Sequence, residues 1–260
     1  ENLSGLVWVY AKLGSFEQDT IADMRTGGLA AAAFAAVADF QALGLEGEGL
    51  ASVRAFEPGE AWASYKRQIA RLQSLVGRGL VASVKSPGDV AAARAQGKVG
   101  AMWTVEGGDF LEGRVERVAE AFADGVRSIT LMHYRNNELG DIITGPPLHK
   151  GLTDAGVAVV RAMNAAGMLV DIAHASEATA MGVIAASSKP VIASHVHVHG
   201  KLSHPRFISP ELARAVVAKG GGLVGAWPAG IGITDLRGFV DRALELVAIA
   251  GIDHVCLGTD

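Results

Sequence analysis

The chain has 260 residues, half of them hydrophobic, with 33 glycines and a formal charge of −4. That length accommodates one large α/β barrel or two small domains. The balanced charge, without any Lys/Arg block, argues against a nucleic-acid partner, and no apolar run reaches the roughly 18 residues of a membrane span.

The lone cysteine, Cys256, excludes an intrachain disulfide and leaves the compartment open. The opening residues, Glu-Asn-Leu-Ser, are not a signal peptide, so periplasmic, secreted and cytoplasmic locations all stay open. Eight short apolar runs read as strands: Gly5–Ala11, Leu29–Val37, Val99–Glu106, Val126–His133, Met168–His174, Pro190–His195, Gly222–Trp227 and His254–Asp260. Several are continuously hydrophobic, as expected of parallel strands covered on both faces. The alanine-rich second run carries the weakest strand signal.

Helical patterns fill most of the gaps. In the long insert from Gln41 to Gly97, Ala61, Tyr65, Ile69 and Leu72 fall at helical spacing. Ser86-Pro87-Gly88-Asp89 then opens a helix that Gly97 closes. Thr153 to Ala166 places Val157, Val160 and Met163 on one face and stops at Gly167. Further helices start at Ser176, at Ser209-Pro210-Glu211 and at Thr234-Asp235, the last two ending at Gly220 and Gly251. Strands alternating with helices imply βαβ units, and eight of them imply a closed (β/α)₈ TIM barrel. A single domain over 1–260 is the simplest organisation. Because Asp260 closes a strand-like run, the polypeptide is expected to continue into a C-terminal extension.

The polar residues sit where the apolar runs stop. Glu106 ends the third run, His133 the fourth, His174 the fifth, His195 the sixth and Asp260 the eighth. In such a barrel the C-terminal strand ends form the active-site mouth, so five ionisable groups converge there. Imidazole and carboxylate together suit Zn²⁺ or a similar divalent ion. Each residue alone has a plainer role, as a turn glutamate, a hydrogen-bonded histidine or a helix-capping aspartate; their joint occurrence at strand ends favours a shared site. In His195-Val-His-Val-His199 the first histidine is taken as the ligand, with His197 and His199 in the loop. His254 precedes the last strand and is structural, while His149 and His204 are loop residues.

These residues lie within GKVGAMWTVEGG, GVRSITLMHYRNNELGD, GLTDAGVAVVRAMNAAGMLVDIAHAS, KPVIASHVHVHGKLSHPR and GIDHVCLGTD, which span about Gly97 to Asp260. These stretches resemble the membrane dipeptidase (renal dipeptidase) family of metallopeptidases, peptidase family M19. The resemblance implies a barrel with a two-zinc centre that cleaves dipeptides. By position, Glu106 resembles the carboxylate bridging the metals, and His174 and His195 the other ligands of one of them. His133 resembles the histidine that contacts the substrate or its tetrahedral intermediate. Arg206 resembles the arginine that receives the substrate carboxylate, although from sequence alone it is a surface arginine after a loop proline. Asp260 resembles the acid/base.

Two stretches depart from the family. Its first strand ends in His-x-Asp, the ligands of the other metal, where this chain has Tyr10 and Lys12. Neither is an ordinary Zn²⁺ ligand, so a single-zinc centre is expected, a shifted alignment or a degenerate relative being the alternatives. GGLVGAWPAGIGITDL replaces an asparagine-containing strand seven, which points to a shifted substrate preference. The leading functional expectation is a dipeptidase-like hydrolase. A single-metal amidohydrolase or lactonase on a non-peptide substrate, and a catalytically silent pocket for a small carboxylate ligand, stand beside it. No oligomeric state is legible, and a homodimer stays open.

Overall fold

In the computed structural model, residues 16–46 and 49–260 are described. The expected first strand, Gly5–Ala11, and with it Tyr10 and Lys12, lies outside them. After helix α1 (Phe16–Thr26), strand β1 (Ala31–Val37) runs into a short hairpin of β2 (Leu43–Glu46) and β3 (Gly49–Ser52). Helix α2 (Glu60–Gly77), β4 (Val81–Ser83) and α3 (Pro87–Ala95) lead to β5 (Val99–Glu106). From there strand and helix alternate: α4 (Arg117–Ala123), β6 (Val126–Thr130), α5 (Asp154–Ala166), β7 (Leu169–Asp171) and α6 (Glu177–Ala186). The series ends with β8 (Val191–Val196), α7 (Pro210–Ala218), β9 (Leu223–Ala226), α8 (Leu236–Ala250) and β10 (Val255–Leu257).

All ladders of the main sheet are parallel, in the order β1-β5-β6-β7-β8-β9-β10, with β4 also pairing β5. Each neighbour from β5 onward is reached through one helix, so all these strands point their C-terminal ends the same way. The result is the curled α/β sheet of a (β/α)₈ barrel; among the described residues no ladder joins β10 to β1. The alanine-rich β1 is a full strand, paired with β5 from Ala31 opposite Gly100 to Val37 opposite Glu106. Strand β4 and the β2–β3 hairpin were not expected, being too short for a periodic pattern.

The helices follow the anticipated caps. Ser86 and Asp89 form a capping box, and the side chains of Thr153, Ser176, Ser209 and Asp235 each accept a backbone N–H at their helix start. Helix α2 buries Ala61, Tyr65 and Ile69 as its spacing requires, and Leu72 packs at the edge of the core. Helix α5 is turned slightly from expectation: Val159, Val160 and Met163 are buried and Val157 only half-buried.

Four strands stop earlier than their apolar runs, β9 by a single residue at Ala226. β6 ends at Thr130 and β7 at Asp171, so His133 and His174 sit on the turns beyond, and β10 ends at Leu257, ahead of Asp260. At β7 the reason is local. The Asp171 carboxylate accepts the N–H of Ala173 at 3.0 Å, and His174 adopts φ 64°. A left-handed non-glycine residue cannot continue a ladder. His254, before β10, bonds Gly222 O at the start of β9 and stays at the opposite end from the strand C-termini.

Candidate metal centre

Glu106 closes β5, and its neighbour Gly107 is what lets the chain turn there. Gly107 has φ 94°, and a Cβ on it would stand 3.3 Å from Ala38 Cβ and 3.4 Å from His133 Cβ. The EGG motif is therefore a place where β1, β5 and the turn after β6 close together.

On this frame three imidazoles aim the same atom at one carboxylate oxygen. Nε2 of His174, His195 and His133 lie 3.2, 3.4 and 3.6 Å from Glu106 Oε1. The Nε2 atoms of His174 and His195 are 2.9 Å apart. Glu106, His174 and His195 are all buried, and one ligand atom from each lies within 4.8 Å of the others. Glu106 Oε1 is buried without a hydrogen-bond partner.

This set fits a divalent cation. Two nitrogens on one tetrahedral Zn²⁺, at bonds of about 2.0–2.1 Å, stand roughly 3.3 Å apart, close to the separations found here. Two facing imidazole nitrogens and a bare buried carboxylate oxygen are each costly without a proton or cation between them. His174 is in the ligand form: burial, then Arg206, His133 and His195, push its pKa well below the ordinary histidine value, so its ring is neutral. Burial raises the pKa of Glu106, against the pull of His133 and His195, so the acid lacks a sufficient cationic partner.

Asp171 braces the candidate ligands from beneath. Its Oδ2 accepts Thr130 Oγ1 on β6 at 2.7 Å, and its Oδ1 accepts Ala173 N and, on β8, Ser194 N, both at 3.0 Å. One buried carboxylate thereby ties three strand ends beside His174 and His195. Gly225 and Gly258 close the other side, for a Cβ on either would come within 2 Å of Ser194 O, at 1.7 and 1.9 Å.

The remaining residues expected from sequence are all at this mouth. Arg206 is 4 % exposed, a buried residue and not the surface arginine its sequence context suggests. Its Nη2 donates towards His195 Nε2 at 3.1 Å, its guanidinium lies 5.2 Å from the Trp227 ring centroid, and its Nη1 is buried and unpartnered. Asp260 is on the rim, Oδ1 3.7 Å from His195 Nε2 and the side chain 36% exposed. His197 and His199 are outside the cluster: His197 packs between Phe207 and Trp227, and His199 bonds Ser203. Sequence reading missed Asp39 and Asp171. Asp39 lies just past β1, fully buried, with Oδ1 2.6 Å from His133 Nδ1. Burial presses His133 towards neutrality, but Glu106 and the Asp39 hydrogen bond outweigh it and hold its pKa above the ordinary value.

A parallel α/β barrel gathering two imidazoles, a carboxylate and an arginine at its strand ends has the architecture of a metal-dependent hydrolase. The chain belongs to the membrane dipeptidase family, peptidase family M19, whose model matches residues 11–260. Dipeptidase verJ of Clonostachys rogersoniana is 34% identical over 140 residues, 52% of this chain. The chain spans about a third of that relative's length (36%). Among solved structures, an amidohydrolase from Pseudomonas aeruginosa superposes with a TM-score of 0.80 at 25% identity, covering 94% of this chain and 70% of the other. A metallopeptidase from Rhodobacter sphaeroides, bound to a phosphinate mimic of the dipeptide L-Ala-D-Ala, shares the fold with a TM-score of 0.79 at 20% identity, covering 91% and 75%.

Proposed function

We propose that this chain hydrolyses dipeptides or closely related small amides, with Glu106, His174 and His195 holding one Zn²⁺ ion. The observation that carries the reading is the pairing of two unmet demands at one mouth. Glu106 Oε1, ringed by imidazole nitrogens, lacks a partner, and so does the buried Nη1 of Arg206. The first asks for a cation and the second for an anion; the terminal carboxylate of a short peptide is such an anion. When bound, the ion would polarise the scissile carbonyl and lower the pKa of a water towards neutrality.

The chain's own residues supply the rest. Arg206 receives the substrate carboxylate through its free Nη1, and the Trp227 face holds the guanidinium in place. This favours short substrates with a free C-terminus. His133 presents Nε2 to the same space and contacts the substrate or its tetrahedral intermediate. Asp260, at the solvent rim, takes the proton of the attacking water and returns it to the leaving amine. One ion is favoured on the alignment that sets Tyr10 and Lys12 opposite the family's ligands for a second.

The test is turnover of a mixed dipeptide library with and without chelator. Cleavage that chelation abolishes and Zn²⁺ restores supports the proposal; no cleavage of any dipeptide by metal-loaded protein overturns it. The likeness to an amidohydrolase from Pseudomonas aeruginosa over 94% of this chain supports a second reading, hydrolysis of an amide other than a dipeptide. Turnover confined to such compounds would select it.

A further inference from the structure

We propose that Asp39 is a positioning residue for His133: its carboxylate engages Nδ1 and leaves Nε2 as the atom the ring presents to the reacting centre. The inference rests on the functional reading above for its catalytic consequence, but its structural part stands apart from it.

Asp39 is held in place by the barrel itself. The β1–β5 ladder ends with Val37 opposite Glu106, and Ala38 N then donates to Glu106 O at 2.7 Å. Asp39 follows directly, with no exposed surface, so it enters the site from the strand beside the one carrying Glu106. Both its oxygens are committed: Oδ1 is 2.6 Å from His133 Nδ1, and Oδ2 accepts Tyr134 N at 3.0 Å. The one carboxylate thus fixes the side chain of His133 and the backbone just after it. Among the described residues, no lysine or arginine forms an ion pair with Asp39.

An ionised carboxylate only accepts hydrogen bonds, so Nδ1 carries the hydrogen. This holds whether or not the ring is charged. Nε2 is then the atom left for the centre, where it lies 3.6 Å from Glu106 Oε1. The ring cannot swing away easily, being packed edge-on against His174 at 4.6 Å and Tyr134 at 4.4 Å between centroids. Buried acceptors behind an imidazole fix its tautomer and aim; behind metal-ligating histidines their removal typically costs roughly 10- to 100-fold, and a loss of that order is expected here.

The experiment compares metal-loaded wild type, Asp39→Asn, Asp39→Ala, His133→Ala and Asp39→Ala/His133→Ala. Long-range ¹⁵N spectra of histidine-labelled protein report the His133 tautomer. The wild type is expected to carry its proton on Nδ1. In Asp39→Asn, an isosteric variant that protects against loss of fold, the amide can donate to Nδ1 and move the proton to Nε2. A neutral wild-type ring protonated on Nε2, or an identical His133 signature in wild type and both Asp39 variants, overturns the proposal. In dipeptide turnover, Asp39→Ala should lose roughly 10- to 100-fold, mostly in kcat, with bound metal unchanged. The double variant should be no slower than His133→Ala; additive losses would show that Asp39 does not act through His133. If wild type cleaves no dipeptide, the functional reading fails while the spectra still decide the positioning role.

Discussion

The Asp171 carboxylate makes a graded prediction. It is 3% exposed and accepts three hydrogen bonds, from Thr130 Oγ1, Ala173 N and Ser194 N. Asp171→Ala strands all three donors in the interior. At about 1–3 kcal/mol for each buried unmet group, partly relieved by relaxation, the expected loss is about 3–5 kcal/mol. That is a large share of a typical total stability of about 5–15 kcal/mol. Asp171→Asn behaves differently because both N–H donors meet Oδ1 while the hydroxyl meets Oδ2. Asparagine keeps an oxygen for the first pair and turns its NH₂ to Thr130, whose hydroxyl rotates to accept it. Only the charge assistance is lost, about 1–2 kcal/mol. Urea unfolding of metal-free protein, followed by circular dichroism, measures both. Asp171→Ala within about 1 kcal/mol of wild type, or Asp171→Asn equally damaging, would refute the bracing role.

Other expectations follow from the same geometry. Gly258→Ala would bring a Cβ to 1.9 Å from Ser194 O and 2.9 Å from His195 Cα, so the segment carrying Asp260 must shift. Turnover should fall at least about tenfold with a stability loss of about 1–3 kcal/mol, and unchanged turnover would remove Asp260 from the chemistry. Arg206→Ala should raise KM for dipeptides by about 10- to 100-fold, with Arg206→Lys intermediate; equal effects on substrates with an amidated C-terminus would show that no carboxylate is read there. Burial, then the nearby Asp39 charge, raises Asp109 from 3.8 to about 7. The folded state therefore keeps a proton that the unfolded chain has lost, and stability contributed by this group falls as pH rises from 3.8 to about 7. The change is on the order of 4 kcal/mol, and Asp109→Asn should flatten that part of the stability–pH curve; an unaltered slope would show that Asp109 is not its source.

The legibility of this site follows from where each residue sits relative to a ladder. Glu106 ends an eight-residue apolar run whose limits coincide with β5, because both faces of that strand are covered. His174 and His195 were found for the same reason, although the β7 ladder stops at Asp171 and the turn then carries His174. Asp171 itself was read as part of a strand, since its role depends on donors 41 residues upstream and 23 downstream. Asp39 was hidden by an alanine-rich strand and by a partner 94 residues away. Arg206 carries no local sign of burial: His204 and Pro205 look like loop, and its burial comes from tertiary neighbours such as the Trp227 ring and His195. Local pattern thus locates strand ends, while the groups that brace the ligands are tertiary and leave no periodic trace.

That Glu106, His174 and His195 hold a divalent cation is tested most directly by elemental analysis of purified, zinc-equilibrated protein. The expected result is about one tightly held zinc per chain, lost in His174→Ala and in Glu106→Gln while both variants keep the wild-type circular dichroism spectrum. Two tightly held zincs would contradict the single-ion centre, and a wild type without bound zinc, or a His174→Ala variant that keeps its full complement, would contradict the site itself.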